Sequence, residues 1–196
     1  MTVVPKPSTT RARILEAAWE LVRERGTRVT VAEIARAAGV SRQLVYFHFE
    51  SRAGLLVAMT RRQDVRSGFA ARVADALALP PVDGLETLLR AWHAYVPEIL
   101  PVVRELEAAV VTGDEGAAAW QDRMGDLHDA FRTAVEHVEA GGRLADGWTA
   151  TAATDWIWAR SQPGAYQHLV VERGWKPGDY VERAVASILS DVLGPG

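Results

Sequence analysis

Two side chains suited to reading nucleic-acid bases stand next to each other at positions 42 and 43. An arginine guanidinium is a planar fork that pairs bidentately with guanine, and a glutamine amide pairs bidentately with adenine. Arg42 and Gln43 directly follow Ser41, a residue type that caps helix N-termini. They are therefore expected in the first turn of a helix, the end that recognition helices present to base edges. The surrounding charge suits a polyanion. Residues 1–62 carry 11 Lys and Arg against 5 Asp and Glu, whereas residues 63–196 carry 11 against 20. The chain's net charge of −3 thus conceals a head of +6 on a body of −9, which points to a polyanion-binding head on a part that does not bind nucleic acid. The competing reading is a chance clustering of arginines on solvated helix faces.

Other chemistries find less support. Cysteine is absent, which excludes disulfides, zinc-thiolate sites and thiol nucleophiles. The histidines (His48, His93, His128, His137 and His168) are scattered and form no H-E-x-x-H pattern. Asp126, His128 and Asp129 lie close in sequence, but positions i and i+2 of a helix face apart, so no metal site is expected. G-x-S-x-G, the P-loop and the dinucleotide fingerprint are missing, so neither catalysis nor a cofactor is expected. No apolar run is long enough to span a membrane. The N-terminus, MTVVPKPSTTR, lacks a secretory apolar core. These features together point to the cytoplasm.

The elements that must position Arg42 and Gln43 are legible from caps and periodicity. Pro5 and Pro7 oppose a helix in residues 1–8, an expected arm. From Arg11 to Arg25 the residues Ile14, Leu15, Ala18, Trp19, Leu21 and Val22 fall on one helical face, with Ser8, Thr9 or Thr10 as cap and Gly26 as terminator. Thr30-Val31-Ala32-Glu33 has the form of a capping box, with Val29 and Ile34 placed as a hydrophobic staple. That helix stops at Gly39. Ser41 then caps a third helix to about Phe49, with Val40 and Val45 as a second staple. Two short helices around a glycine turn make a helix-turn-helix unit. Ser51 is the expected cap of a long helix from Arg52 towards Leu79, closed by Pro80-Pro81. Further helices are expected from Asp83, interrupted or restarted at Pro97 and Pro101 and continuing to Val111; from Glu115 to Glu139, after a Thr112-Gly113-Asp114 loop; from Thr149, kinked at Pro163-Gly164 and ended by Gly174; and from Pro177 to Leu193. With no strand-like alternation and no internal repeat, the fold is expected to be all-α, with about nine helices.

The segment TVAEIARAAGVSRQLVYFHFESRAGLL, residues 30–56, resembles the DNA-binding domain of the tetracycline-repressor (TetR) family. The matching positions are Thr30, Ile34, Ala35, Ala38, Gly39, Val40, Ser41, Tyr46, His48, Phe49, Ser51, Arg52 and Leu55. The close match covers residues 11–60; beyond it the resemblance lies in length, helix order and the segment from Glu172 to Pro177. The resemblance implies a helix-turn-helix domain over residues 9–56 and an effector-binding and dimerisation domain over 57–196. It also implies a homodimer that grips palindromic double-stranded operator DNA, with the third helix in the major groove, and that releases it when a small molecule binds; the aromatic-rich C-terminal part points to a hydrophobic or aromatic one. By family position Thr30, Ser41, Tyr46, His48 and Arg52 are expected to hold phosphates, while Phe49 is expected in the core. Gln43 and Leu44 depart from the family's usual small residue and hydroxyl. Leu44 is left to touch a thymine methyl or to pack, and no family operator carries over. Candidate effector residues are Trp92, His93, Tyr95, Trp120, Met124, His128 and Phe131, each with core or dimer seam as its competing reading. The expected dimer seam uses Trp156, Arg160, Gln167, Val181, Val185, Ile188 and Leu189 of the last two helices. The alternatives are an activator or a regulator without ligand, an all-α enzyme acting on a small molecule, and a helical protein whose basic head binds an acidic partner.

Overall fold

The computed structural model describes residues 9–25, 29–112 and 116–194. The expected arm, Gly26, and Gly113 with Asp114 lie outside the described residues. The helices are α1 (Thr10–Arg25), α2 (Val31–Ala37), α3 (Arg42–Phe49), α4 (Arg52–Ser67), α5 (Phe69–Leu77), α6 (Pro81–Thr112), α7 (Gly116–Ala140), α8 (Ala150–Arg160), α9 (Pro163–Tyr166), which runs on into a π-turn over Gln167–Glu172, and α10 (Pro177–Val192). Among the described residues extended pairing is limited to one isolated bridge, Leu144 with Leu193. The fold is all-α.

The caps act where the residue types place them. Thr9 accepts the Ala12 amide at 3.2 Å, Ser41 accepts the Leu44 amide at 3.1 Å, and Ser51 accepts the Gly54 amide at 3.0 Å. The Thr30–Glu33 capping box is complete, and Val29 and Ile34 are both buried beside it.

Helix boundaries differ from expectation at three places. The long helix expected from Arg52 to Leu79 is broken after Ser67 by Gly68, whose φ of 66° suits glycine and stops the first helix. Conversely, α6 runs unbroken through Pro97 and Pro101. Each proline removes an amide donor, yet Ile99, Val102, Val103 and Leu106 are all buried around them, and that burial outweighs the lost bonds. Between α8 and α9 the chain stops rather than kinks, with Pro163 opening the new helix where its missing N–H costs nothing. The π-turn that follows carries the wider bond from the Arg173 amide to the His168 carbonyl, 3.1 Å.

The chain forms two compact units, one of residues 1–63 and 101–120, the other of residues 64–100 and 121–196. The division within α4 falls after residue 63, and Arg62 shows why: its guanidinium bonds back to the Ala12 carbonyl at 3.2 Å and to the Glu16 carboxylate. In the first unit Ile14, Leu15, Ala18 and Val22 of α1 are buried, as are Ile34, Ala35, Val45, Phe49, Leu55 and Met59 of α2 to α4. In the second, Leu85, Leu88, Leu89 and Trp92 of α6 are buried together with Phe131, Val135 and Val138 of α7 and Ile157 of α8. Val185 and Ile188 of α10, expected at a dimer seam, also belong to this buried set, at 0% and 1% exposure. They lie on the stripe that α10 turns into its own chain, with Tyr180 and Val192, so they offer a partner no surface.

Candidate nucleic-acid interface and ligand pocket

In the first unit, α3 is anchored by one side and open on the other. Val45 and Phe49 are buried, while Ser41, Arg42, Gln43 and Phe47 are exposed and Leu44, Tyr46 and His48 are half-buried. The Ser41 cap fixes the start of the helix, so Arg42 and Gln43 stand at its outward N-terminal turn. Arg42 folds along the helix, its guanidinium 5.4 Å from the Tyr46 ring centre and donating to the Tyr46 hydroxyl at 3.2 Å. The two side chains therefore act as a pair.

The residues expected on phosphates are already engaged. Thr30 donates its hydroxyl to Glu33 at 2.8 Å and accepts the Glu33 amide at 3.3 Å. Glu33 also takes the Thr30 amide at 2.8 Å and Arg25 at 2.6 Å. The Thr30 amide foremost, then Arg25, holds the Glu33 carboxyl down at about 2. Arg52 donates to the Val29 carbonyl, tying the start of α4 to the entry of α2. His48 stands edge-on to Phe47, with ring centres 5.4 Å apart. Arg11 lies in α1 with its guanidinium 5.0 Å from the Phe49 ring.

Phe47 was not singled out by the sequence. The signal was there, because position 47 lies two residues from both Val45 and Phe49 and so faces away from the side they bury.

The second unit contains a cavity of about 270 Å³ lined by Asp64, Phe69, Ala70, Val73, Trp92, Arg123, Asp126, Leu127 and Ala130. Its polar feature is an ion pair. Arg123 grips Asp64 with two bonds, Nε to Oδ2 at 3.0 Å and a terminal nitrogen to Oδ1 at 2.7 Å. The Tyr95 hydroxyl donates to Oδ1 at 2.5 Å. Burial, reinforced by Asp64, pushes the Tyr95 hydroxyl well above its ordinary value, so it stays a donor. Phe69 stacks on Tyr95 at 4.8 Å, and the Arg123 guanidinium lies 5.9 Å from the Trp92 ring. An apolar, aromatic hollow with a few fixed polar groups is the usual form of a small-molecule site.

Of the seven candidate effector residues, Trp92 lines this cavity. Tyr95 stands behind it, reaching it through Asp64 and Phe69. His93 is fully buried and turned to α10, with Nδ1 3.1 Å from the Tyr180 hydroxyl; burial lowers its pKa to about 4. Met124 and Phe131 are buried, and the Met124 carbonyl accepts from Trp158 at 3.3 Å. His128 is half-buried and paired with Asp155 at 3.0 Å. Trp120 is buried in the first unit. The sequence missed Asp64, Phe69, Arg123 and Asp126. Nothing local distinguishes them, since helix packing alone brings α4, α5 and α7 to one hollow.

Of the remaining seam candidates, Trp156 is exposed and bonds Asp191 at 3.0 Å, and Arg160 bonds Ser187 at 2.6 Å. Gln167 is nearly buried and bonds Glu172 at 3.2 Å. Val181 and Leu189 are half-buried.

Residues 14–59 match the family model described as bacterial regulatory proteins, tetR family. The HTH-type transcriptional repressor BepR of Brucella suis biovar 1 is 26% identical over 95% of this chain and 93% of its own length. The HTH-type transcriptional repressor AcnR of Corynebacterium efficiens is 29% identical over 71% of each chain. Among solved structures, SmeT, the repressor of the Stenotrophomonas maltophilia multidrug efflux pump SmeDEF, superposes with a TM-score of 0.74 at 21% identity, covering 96% of this chain and 93% of its own.

Proposed function

Because the chain belongs to the TetR family of bacterial regulatory proteins, we propose that it is a transcriptional repressor, acting as a homodimer on palindromic operator DNA and released by a small hydrophobic or aromatic effector. The family is one of regulators, not of enzymes, and among the described residues no helix is long and apolar enough to cross a membrane. The observation that carries the reading is the outward N-terminal turn of α3. Arg42 and Gln43 stand there on a helix locked by the Ser41 cap and by buried Val45 and Phe49.

In this reading Arg42 and Gln43 read bases. Ser41, Tyr46, His48, Thr30 and Arg52 hold phosphates and set register. The DNA-binding domain spans 9–56 and the effector and dimerisation domain 57–196. The effector enters the Asp64–Trp92–Arg123 hollow. Helix α4 is the natural lever, since it carries Arg52, bonded to Val29, and Asp64, bonded to Tyr95 and Arg123. An effector that rearranges the grip on Asp64 acts directly on the helix that carries Arg52. To release DNA it must bind the non-DNA state preferentially, by a coupling of typically ~1–3 kcal/mol. The two protomers meet through exposed Trp156 and Arg160 and the margins of α10, Val181 and Leu189.

The test is fluorescence-anisotropy binding to the DNA upstream of the protein's own gene against scrambled DNA, at two salt concentrations. Preference for the upstream duplex that persists at higher salt supports the reading. Equal binding to both duplexes leaves only the electrostatic contribution and removes it.

A further inference from the structure

Phe47 is the most exposed aromatic side chain among the described residues, at 79%, and it stands on the same helix as the proposed base readers. It lies one turn beyond Gln43 on the same side of α3. Val45 and Phe49, two residues to either side, are buried, so the register of the helix puts Phe47 outside. The ring meets His48 in a T-shaped contact, centres 5.4 Å apart, and is otherwise largely open to solvent. A solvated aromatic on a surface so rich in arginine calls for an apolar occupant within a polyanion, because the net +6 of residues 1–62 selects for one. Duplex DNA meets both conditions, since the major groove offers thymine C5-methyl groups between its charged backbones.

We infer that Phe47 is a specificity-determining residue, whose ring packs on the C5-methyl of a thymine in each operator half-site. The inference rests on the reading of α3 as the helix that enters the groove. Side chains one turn apart on a helix are about 5–6 Å from each other, and bases along one strand are about 3.4 Å apart. The thymine read by Phe47 therefore lies about two base pairs from the base read by Gln43. Leu44 is half-buried on the adjoining face and leaves this contact to Phe47.

The test uses deoxyuridine, which removes the methyl and keeps the base pairing. Wild type, Phe47→Ala, Phe47→Leu and Leu44→Ala are titrated against the duplex protected upstream of the gene, and against copies with single thymines of each half-site replaced. Wild type is expected to lose about fourfold in affinity at one thymine per half-site, the worth of one methyl. Phe47→Ala binds the unmodified duplex more weakly and no longer distinguishes thymine from deoxyuridine there. Phe47→Leu keeps part of the discrimination, and Leu44→Ala keeps all of it. Because Phe47 is exposed, thermal unfolding of Phe47→Ala is expected to match wild type. Undiminished discrimination in Phe47→Ala overturns the inference, as does a wild type indifferent to every methyl. A wild type that fails to prefer the upstream duplex over scrambled DNA overturns the operator reading itself, and this inference falls with it.

Discussion

Mild acid is expected to destabilise the protein through His93. Its ring is buried, with Nδ1 against the Tyr180 hydroxyl and Nε2 without a hydrogen-bond partner among the described residues. Burial lowers its pKa from the ordinary 6.5 to about 4. Between those values the unfolded chain binds a proton that the folded chain refuses, so stability falls as pH falls. The contribution is fully present above about pH 6.5, declines through the window and levels off below about 4. Moving from pH 7.5 to pH 4.5 therefore costs about 2–3 kcal/mol. That is a large share of the ~5–15 kcal/mol typical of a folded domain. The assay is urea unfolding at one-unit pH intervals, comparing wild type with His93→Gln. The glutamine keeps a polar partner for Tyr180 but does not titrate, so carboxylate effects common to both proteins cancel in the difference. Wild type should lose about 2–3 kcal/mol more than the variant over this range. Parallel stability profiles for the two proteins would refute the assignment of the pH dependence to His93.

The other predictions concern the interface, the pocket and one turn. Arg42→Ala should relax sequence preference, whereas Arg52→Ala should weaken all DNA about equally and reduce the salt slope by about 1; unchanged preference in Arg42→Ala removes that residue from base reading. Arg52→Ala should also lower stability by about 1 kcal/mol, because the Val29 carbonyl loses its donor. Arg123→Ala strips a side chain that is 10% exposed from an Asp64 that is 25% exposed. Breaking a buried pair costs roughly 3–5 kcal/mol, but Asp64 retains Tyr95 and some water, so about 2 kcal/mol is expected, seen as a fall of about 6 °C in Tm; a shift under a degree would show the pair to be structurally idle. Glu50 has φ 61° and ψ −50°, with the Ser51 amide on the Phe49 carbonyl at 2.6 Å. A tight turn with positive φ at a residue bearing a Cβ is strained, so Glu50→Gly should stabilise by about 0.5–1 kcal/mol, and a lower Tm would count against strain there.

The head of this protein was legible because its signals are local. Thr30 with Glu33, Ser41 with the Leu44 amide and Ser51 with the Gly54 amide are contacts between residues three apart, so spacing alone specifies them. Gln43, two residues before Val45, likewise falls on the side of α3 that Val45 and Phe49 leave free, while Arg42 stands out because it lies in the first turn. By itself the sequence determined the helices, their caps, the outward Arg42–Gln43 pair and the division of charge. Only the tertiary structure decided where Gly68 outweighs continued periodicity and where burial carries a helix through Pro97 and Pro101. It alone decided that Val185 and Ile188 turn inwards. It alone decided that His93 faces Tyr180 while Trp92, its neighbour, lines a cavity with Asp64 and Arg123. Those partners are 28 to 87 residues apart in the chain, and sequence spacing carries no information about a meeting that depends on how whole helices cross.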